Sequence, residues 1–307
     1  MKHISVLLNE SIAGLNIHED GIYVDCTLGY AGHSKEILKR IKRGKLFAFD
    51  QDINAINYSS KKLASIGDNY CIIKSNFVNL KSELNKRGIN KVDGILFDLG
   101  VSSPQLDDAD RGFSYHNDAP LDMRMDISSN FSAYNVVNEY SMEDLTKIFY
   151  EYGEEEYSRN IAKKIIEYRQ NKKIETTLEL VDIIKSAVPM KRILKSHPAK
   201  KIFQAIRIEV NKELYVIEQV LPDAIDILNK GGRICVITFH SLEDKIVKKI
   251  FNEYSKIDDM VKGLPNIPDE YKPKIKLVNK KVIEPSEDEI ENNKRSRSSK
   301  LRIIEKL

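Results

Sequence analysis

Asp50 closes the apolar run Leu46-Phe47-Ala48-Phe49, and upstream of it lies the glycine-bearing stretch Gly29-Tyr30-Ala31-Gly32-His33-Ser34. A glycine turn lets the backbone approach a ligand closely. An acid ending the next apolar run can accept hydrogen bonds from the two hydroxyls of a ribose. Together these residues suit an adenosine-containing cofactor. The turn departs from the full G-x-G-x-x-G pattern, because Ala31 stands two positions after Gly29. It also carries Tyr30 and His33 where a pyrophosphate favours unencumbered amides, and no arginine follows closely after Asp50. A compact cofactor without phosphate, S-adenosylmethionine, fits better. Asp52 reads as the N-cap of the next helix. Asn76-Phe77 offers an apolar face for an adenine, with Phe77 as plain core the competing reading.

A second constellation is Phe97-Asp98-Leu99-Gly100-Val101-Ser102-Ser103-Pro104-Gln105. Open α/β sheets bind ligands beyond the carboxyl ends of their strands, which is where Asp98 should stand.

The elements that must position these residues follow from the apolar pattern. Strands are expected at 22–26, 46–49, 71–74 and 92–97, with helices at 34–41, 53–66 and 80–86. This alternation argues for a parallel sheet with right-handed crossovers. It stops between 107 and 188. There Ser141 with Glu143 and Asp144 marks a helix start, Tyr157, Ile161, Ile165 and Tyr168 keep helical spacing, and Thr176 to Glu179 matches a capping box. Pro198 suits the first turn of a long helix carrying Ile202, Ile206, Val210, Leu214 and Ile217. A strand at 233–239 then follows a Gly231-Gly232 turn. The fold class expected is α/β, a mostly parallel Rossmann-like sheet interrupted by a mostly helical insertion. The core's first part is 1–106, the insertion 107–197, and the second part 198–307, with a basic C-terminal strand.

At 307 residues, 31% charged and 41% hydrophobic, the chain has the composition of an ordinary globular protein. No apolar run approaches the ~20 residues of a membrane span, so no membrane partner is expected. Met1-Lys2-His3-Ile4-Ser5 lacks the apolar core of a signal peptide. Cys26, Cys71 and Cys235 sit singly in apolar runs, as buried thiols do in a reducing compartment, and a cytoplasmic location is expected. No carboxylate or histidine cluster demands a catalytic metal. The net charge of +3 is uninformative, but its distribution is not. Lys294-Arg295-Ser296-Arg297-Ser298-Ser299-Lys300-Leu301-Arg302 packs five cations into nine residues and leads into a strand-like run, which favours phosphate binding over a solvated tail.

Several segments then carry a resemblance. These are 98–105, Arg111-Gly112-Phe113-Ser114-Tyr115 with Leu121-Asp122-Met123-Arg124-Met125, and His197-Pro198-Ala199 through Phe203-Gln204-Ala205-Ile206-Arg207-Ile208-Glu209-Val210-Asn211. Thr238-Phe239-His240-Ser241-Leu242-Glu243-Asp244 and the basic tail 293–302 complete the set. In this order, over nearly the whole chain, they resemble the bacterial 16S ribosomal RNA cytosine-N4 methyltransferase family. The resemblance implies a class I methyltransferase core, S-adenosylmethionine as methyl donor, and a cytidine at the decoding centre (P site) of the 30S subunit as target. By matching position it assigns Ala31, Gly32, His33, Asp50, Phe77, Asp98 and Gln105 to the cofactor. Ala31 is a departure, because relatives often carry glycine there, and a methyl fits only if the backbone angle is not positive.

Cytosine N4 is a poor nucleophile because its lone pair is delocalised into the ring. It must be oriented toward the sulfonium methyl while its hydrogens are accepted by oxygens, for which Ser103 and Pro104 are the candidates. Methylation at C5 would instead need a cysteine nucleophile, and none of the three lies in these loops. Ser103-Pro104-Gln105 lacks the aromatic residue that follows such motifs in many amino-group methyltransferases. Phe113 and Tyr115 are therefore candidates to stack on the base, with packing between the core and the insertion as the alternative. His240 and Ser241 are expected on the same rim, touching the nucleotide or capping a helix. Arg111, Arg295 and Arg297 are expected at phosphates. A nicotinamide oxidoreductase and a non-catalytic RNA-binding module are the competing functions. The first is disfavoured by the glycine spacing and the second by the presence of both Asp50 and Asp98. Monomer and homodimer are both open.

Overall fold

The computed structural model describes residues 5–257, 259–261, 263 and 265–307, without the side chains of Ser103, Lys195, Asp259 and Glu270. The signal-peptide reading rests largely on 1–4, outside the described residues. The chain forms two compact units, Met1–Gly100 with Leu214–Leu307, and Val101–Glu213. Among the described residues no helix is long and apolar enough to cross a membrane.

The first unit is built on a sheet of β1 (Ile22–Asp25), β2 (Lys45–Asp50), β3 (Tyr70–Lys74), β4 (Val92–Asp98), β5 (Leu228–Thr238), β6 (Ile275–Leu277) and β7 (Lys300–Lys306). Its order is β3-β2-β1-β4-β5-β7-β6. All pairs from β3 to β5 are parallel, and β7 runs antiparallel to both its neighbours. The four expected N-terminal strands are present, each within a residue or so of its expected ends.

Their near-continuous apolar runs mark strands covered on both faces. Val24, Phe47, Phe49, Ile95, Phe97, Ile234 and Val236 pack on one side, with Leu80, Leu84, Val220, Ala224, Val247 and Phe251. The alternate residues Tyr23, Leu46, Ala48, Leu96, Cys235 and Ile237 face the other side, with Leu15, Ile37, Leu38 and Leu63. The sheet is thus doubly wound, a mostly parallel Rossmann-like arrangement.

Two expectations at the second crossing into this unit need correction. β5 begins at Leu228 rather than after a Gly231-Gly232 turn. The pairing jumps from Val92–Leu228 to Gly94–Arg233, so the glycines form a bulge in one long strand, with Gly231 at φ 81°. The long helix after Pro198 is two helices, Ala199–Asn211 and Glu213–Ile227, broken where Lys212 turns left-handed at φ 53°.

The second unit is mostly helical. It comprises Ser103–Asp107, Ala133–Glu139, Met142–Glu151, Ser158–Arg169, Thr177–Ser186, Met190–Lys195 and Ala199–Asn211. The expected caps form. Ser141 Oγ accepts from the Asp144 amide at 3.0 Å, and Thr176 Oγ1 from the Glu179 amide at 3.3 Å. The edges of this unit differ from the 107–197 read from the sequence. Helix Ala199–Asn211 buries Ala199, Ile202, Phe203, Ala205 and Ile206 in the core of this unit, with Val136, Phe149, Ile161 and Leu180. Pro198 announces that a helix starts, but apolar spacing does not say which core it faces.

Candidate functional site

β1, β2 and β3 run outward on one side of β1, and β4 and β5 on the other, so the chain changes direction across the β1/β4 pair. The carboxyl ends at such a switch point form the ligand crevice of an open parallel sheet. Three acids mark that edge, Asp25 ending β1, Asp50 ending β2 and Asp98 ending β4.

The turn after β1 is shaped by close contacts. Gly29 is left-handed at φ 47°, and a Cβ there would meet Thr27 O in ordinary contact at 3.8 Å, so the requirement for glycine is one of backbone conformation. Ala31 adopts φ 55° and is fully buried, so its methyl sits in the left-handed conformation that a Cβ disfavours. A Cβ at Gly32 would lie 1.7 Å from Ser5 Oγ and 3.0 Å from Ser5 Cβ, so a side chain there would force Ser5 to move. Asp50 holds this turn. Its Oδ2 accepts from the Gly29 amide at 2.8 Å and its Oδ1 from the Asp52 amide at 2.8 Å. Burial raises its pKa to about 6, opposed by these amides. Asp52 caps the helix Ile53–Ala64 as expected, accepting from the Asn54 amide at 3.0 Å.

Asp98 stands in a group of acids. Its carboxyl is pushed well above the carboxylate range, first by burial and then by the negative charges of Asp25 and Glu243. Oδ1 is buried without a partner among the described residues, and Oδ2 lies 3.6 Å from His33 Nδ1. His33 is buried, with Nε2 3.1 Å from the Val6 carbonyl. Asp25 accepts from Ser34 Oγ at 2.6 Å and from the Thr27 amide at 3.0 Å, and Thr27 Oγ1 accepts from the Asp98 amide at 2.7 Å. Asp25, Thr27, Ser34 and Glu243 escaped the assignment of site residues from sequence. The signal for Asp25 was present, since it too is an acid ending a strand.

Phe77 is half-buried and meets Phe97 edge-on at 5.7 Å, beside Asn76, which caps its own turn. His240 is the N-cap of helix Ser241–Tyr254. Glu243 Oε2 folds back to accept from the Phe239 amide at 2.7 Å and the His240 amide at 3.3 Å. His240 thus stands at the cap position, and Ser241 is exposed one residue on. Arg295 and Arg297 are exposed on the short helix Lys294–Ser298, anchored by buried Ser296 and Ser299. Arg302 is spent on Asp244 in a two-bond pair at 2.7 and 3.0 Å.

In the second unit, Gln105 is buried and its Oε1 accepts from the Ser102 amide at 3.0 Å, closing the first turn of Ser103–Asp107. Ser103 and Pro104 therefore begin a helix rather than an open loop. The Pro104 carbonyl accepts from the Asp108 amide at 2.9 Å, and the Ser103 side chain lies outside what the structure describes. Arg111 is not a surface cation. Its Nη2 donates to the carbonyls of Arg124 and Met125 at 2.8 and 3.2 Å, tying a loop that Asn211 also holds through Met123 O and the Met125 amide. Phe113 is 6% exposed in the core of this unit, with the Arg111 guanidinium 5.8 Å from its ring centre. Phe113 thus packs within the helical unit's own core. Tyr115 is half-buried and stacks on His197 at 4.7 Å and 23°.

The MraW methylase family model matches residues 1–307. Ribosomal RNA small subunit methyltransferase H of Exiguobacterium sibiricum is 56% identical over 307 residues, spanning 100% of this chain and 98% of that protein. An rRNA methylase from Streptococcus thermophilus aligns in structure with a TM-score of 0.47 and 12% identity, over 99% of this chain and 98% of that one. With the family model running through every residue and a full-length relative sharing more than half of its positions, the chain belongs to the MraW methylase family.

Proposed function

We propose that this protein transfers the methyl group of S-adenosylmethionine to N4 of a cytidine in 16S rRNA, at the decoding centre of the 30S subunit, in the cytoplasm. The observation that carries this reading is the full-length match to a protein named for methylation of small-subunit ribosomal RNA. S-adenosylmethionine supplies an electrophilic methyl on a sulfonium cation. The residues present fit it. The buried, unpartnered Oδ1 of Asp98 suits a ligand N–H or cation, which would draw the carboxyl back toward its ionised form. Asp50 would take ribose hydroxyls with the lone pairs its backbone amide partners leave, Phe77 would face the adenine, and the Gly29–Gly32 turn would lie against the ligand.

For the transfer, oxygens at Ser103 and Pro104 would accept from the N4 amino group and orient its lone pair. No strong base is required, because methylation itself makes the amine acidic. The cysteines oppose chemistry at C5. Cys26 and Cys235 are buried, and burial pushes both thiols up, away from the thiolate that adds to a ring carbon. Tyr115 is the remaining aromatic candidate for the base, and Arg295 with Arg297 would grip phosphates. The test is methyl transfer from labelled S-adenosylmethionine to undermethylated 30S subunits, followed by nucleoside analysis. N4-methylcytidine at one position is expected. Cofactor binding without label in the RNA would overturn the substrate.

A further inference from the structure

The segment Ser5-Val6-Leu7 touches the cofactor turn at two points. Ser5 Oγ fills the space a side chain at Gly32 would need, and the Val6 carbonyl meets His33 Nε2 at 3.1 Å. A carbonyl only accepts, so Nε2 carries a proton, and Nδ1 faces Asp98 Oδ2 at 3.6 Å. The segment is held from far along the chain. Leu7 is buried and left-handed at φ 48°, and its amide donates to Glu289 Oε1 at 2.8 Å. Glu289 lies on the short helix Glu287–Asn292, whose cap, Ser286 Oγ, accepts from the Glu289 amide at 3.2 Å. The preceding Ile283 is fixed to β7, exchanging hydrogen bonds with Leu301 at 2.8 and 3.1 Å.

We infer that Glu289 is a positioning residue for the cofactor site, acting through the Leu7 amide, the Val6 carbonyl and the His33 ring on Asp98. Without its carboxylate a buried amide loses its partner, the segment shifts, and the ring that faces Asp98 Oδ2 loses its anchor. Glutamine retains an acceptor oxygen at the same reach and preserves the link.

The inference rests on S-adenosylmethionine as the cofactor, and the test separates the two. Binding of S-adenosylmethionine and its KM and kcat are measured for the full chain and for Glu289→Ala, Glu289→Gln, His33→Ala and the double variant Glu289→Ala with His33→Ala. Glu289→Ala should raise Kd and KM roughly tenfold with kcat little changed, the size of one charge-assisted bond. Glu289→Gln should restore most of that loss. The double variant should bind no worse than His33→Ala alone, because the effect passes through that ring. Unchanged affinity in Glu289→Ala, no recovery with glutamine, or additive losses in the double variant would overturn the inference. Failure of the unsubstituted protein to bind S-adenosylmethionine would overturn the cofactor assignment, and this inference with it.

Discussion

The Gly29 amide donates to Asp50 Oδ2 at 2.8 Å, so the acid that ends β2 also fixes the turn that follows β1. Ser59 Oγ reaches the Gly29 carbonyl at 2.7 Å and the Lys62 ammonium the Tyr30 carbonyl at 2.7 Å, so the turn is held from both sides. One carboxylate thereby shapes the turn, and under the proposed function it would also receive the ligand.

Cofactor affinity should depend on pH through this residue. Asp50 ionises at about 6, and only the ionised form accepts from ribose hydroxyls with both oxygens. Affinity should hold above that pH and fall as pH drops through it, approaching roughly tenfold per unit. For the fold alone the sign is opposite. A raised carboxyl pKa favours folding below the ordinary carboxylate range, and that contribution is lost as pH rises through about 6. Calorimetric titration from pH 5 to 8 measures the first effect. Asp50→Asn should bind ~10- to 100-fold more weakly at pH 8 and lose the share of the pH dependence that Asp50 supplies. Unchanged affinity would remove Asp50 from the site.

Ala31 carries backbone strain that glycine would release. At φ 55° the methyl costs about 1–2 kcal/mol, while glycine gives back part of that in unfolded-chain entropy. Ala31→Gly should raise the melting temperature by about 2–4 °C for a net gain of about 1 kcal/mol. A lower melting temperature would mean that the packing of the buried methyl outweighs its strain. Gly32→Ala should do far more harm, since its Cβ would lie 1.7 Å from Ser5 Oγ.

Removing both exposed arginines of helix Lys294–Ser298 should weaken RNA and spare the cofactor. Arg295→Ala with Arg297→Ala should lower the slope of log K against log salt by roughly 1–2 if both meet phosphates. Binding to 30S subunits at several ionic strengths reads this directly. A slope equal to that of the parent protein would place both side chains away from the RNA.

Phe113 and Tyr115 should separate by readout. Phe113 is core, and Phe113→Ala should destabilise the helical unit by about 3–5 kcal/mol in denaturant titrations. Tyr115 is half-buried against His197 and Phe203, so Tyr115→Ala should cost less stability and more methyl transfer. Equal loss of transfer at matched stability would end the stacking role assigned to Tyr115.

Thiol alkylation should leave the enzyme active. Cys26 and Cys235 are buried with raised pKa values, so iodoacetamide at pH 8 should reach at most Cys71. Activity lost in step with labelling would bring a cysteine nucleophile, and methylation at carbon, back into contention.

The sheet and the acids along its carboxyl edge were legible because their signals are local. A β-branched run, a glycine turn and an acid at a strand end each report on a few residues, and together they located β1 to β4, Asp50 and Asp98. Caps were legible for the same reason, as Ser141, Thr176 and Asp52 show. What escaped depends on partners distant in sequence. The apolar face of Ala199–Asn211 is visible, but its burial on Val136 and Phe149 is not. Arg111 has the composition of a phosphate ligand, and only the loop returning at Arg124 and Met125 shows that its guanidinium is already engaged. The Gly231-Gly232 pair looks like a turn until β4 pairs on both sides of it.

The position of β7 bears on how the protein emerges from its own synthesis. Translation delivers β1 to β4 first, then the whole helical unit, then β5 and β6, and β7 after both strands it must join. The helical unit is continuous and can fold as soon as its residues leave the exit tunnel. The nascent sheet meanwhile holds open edges on β4 and then on β5, the kind of template other chains pair with. Seven residues, Lys300–Lys306, end that exposure by entering between two strands already made. A ribosome stalled just before them would carry a finished helical unit beside an unclosed sheet, a species suited to chaperone capture rather than to catalysis.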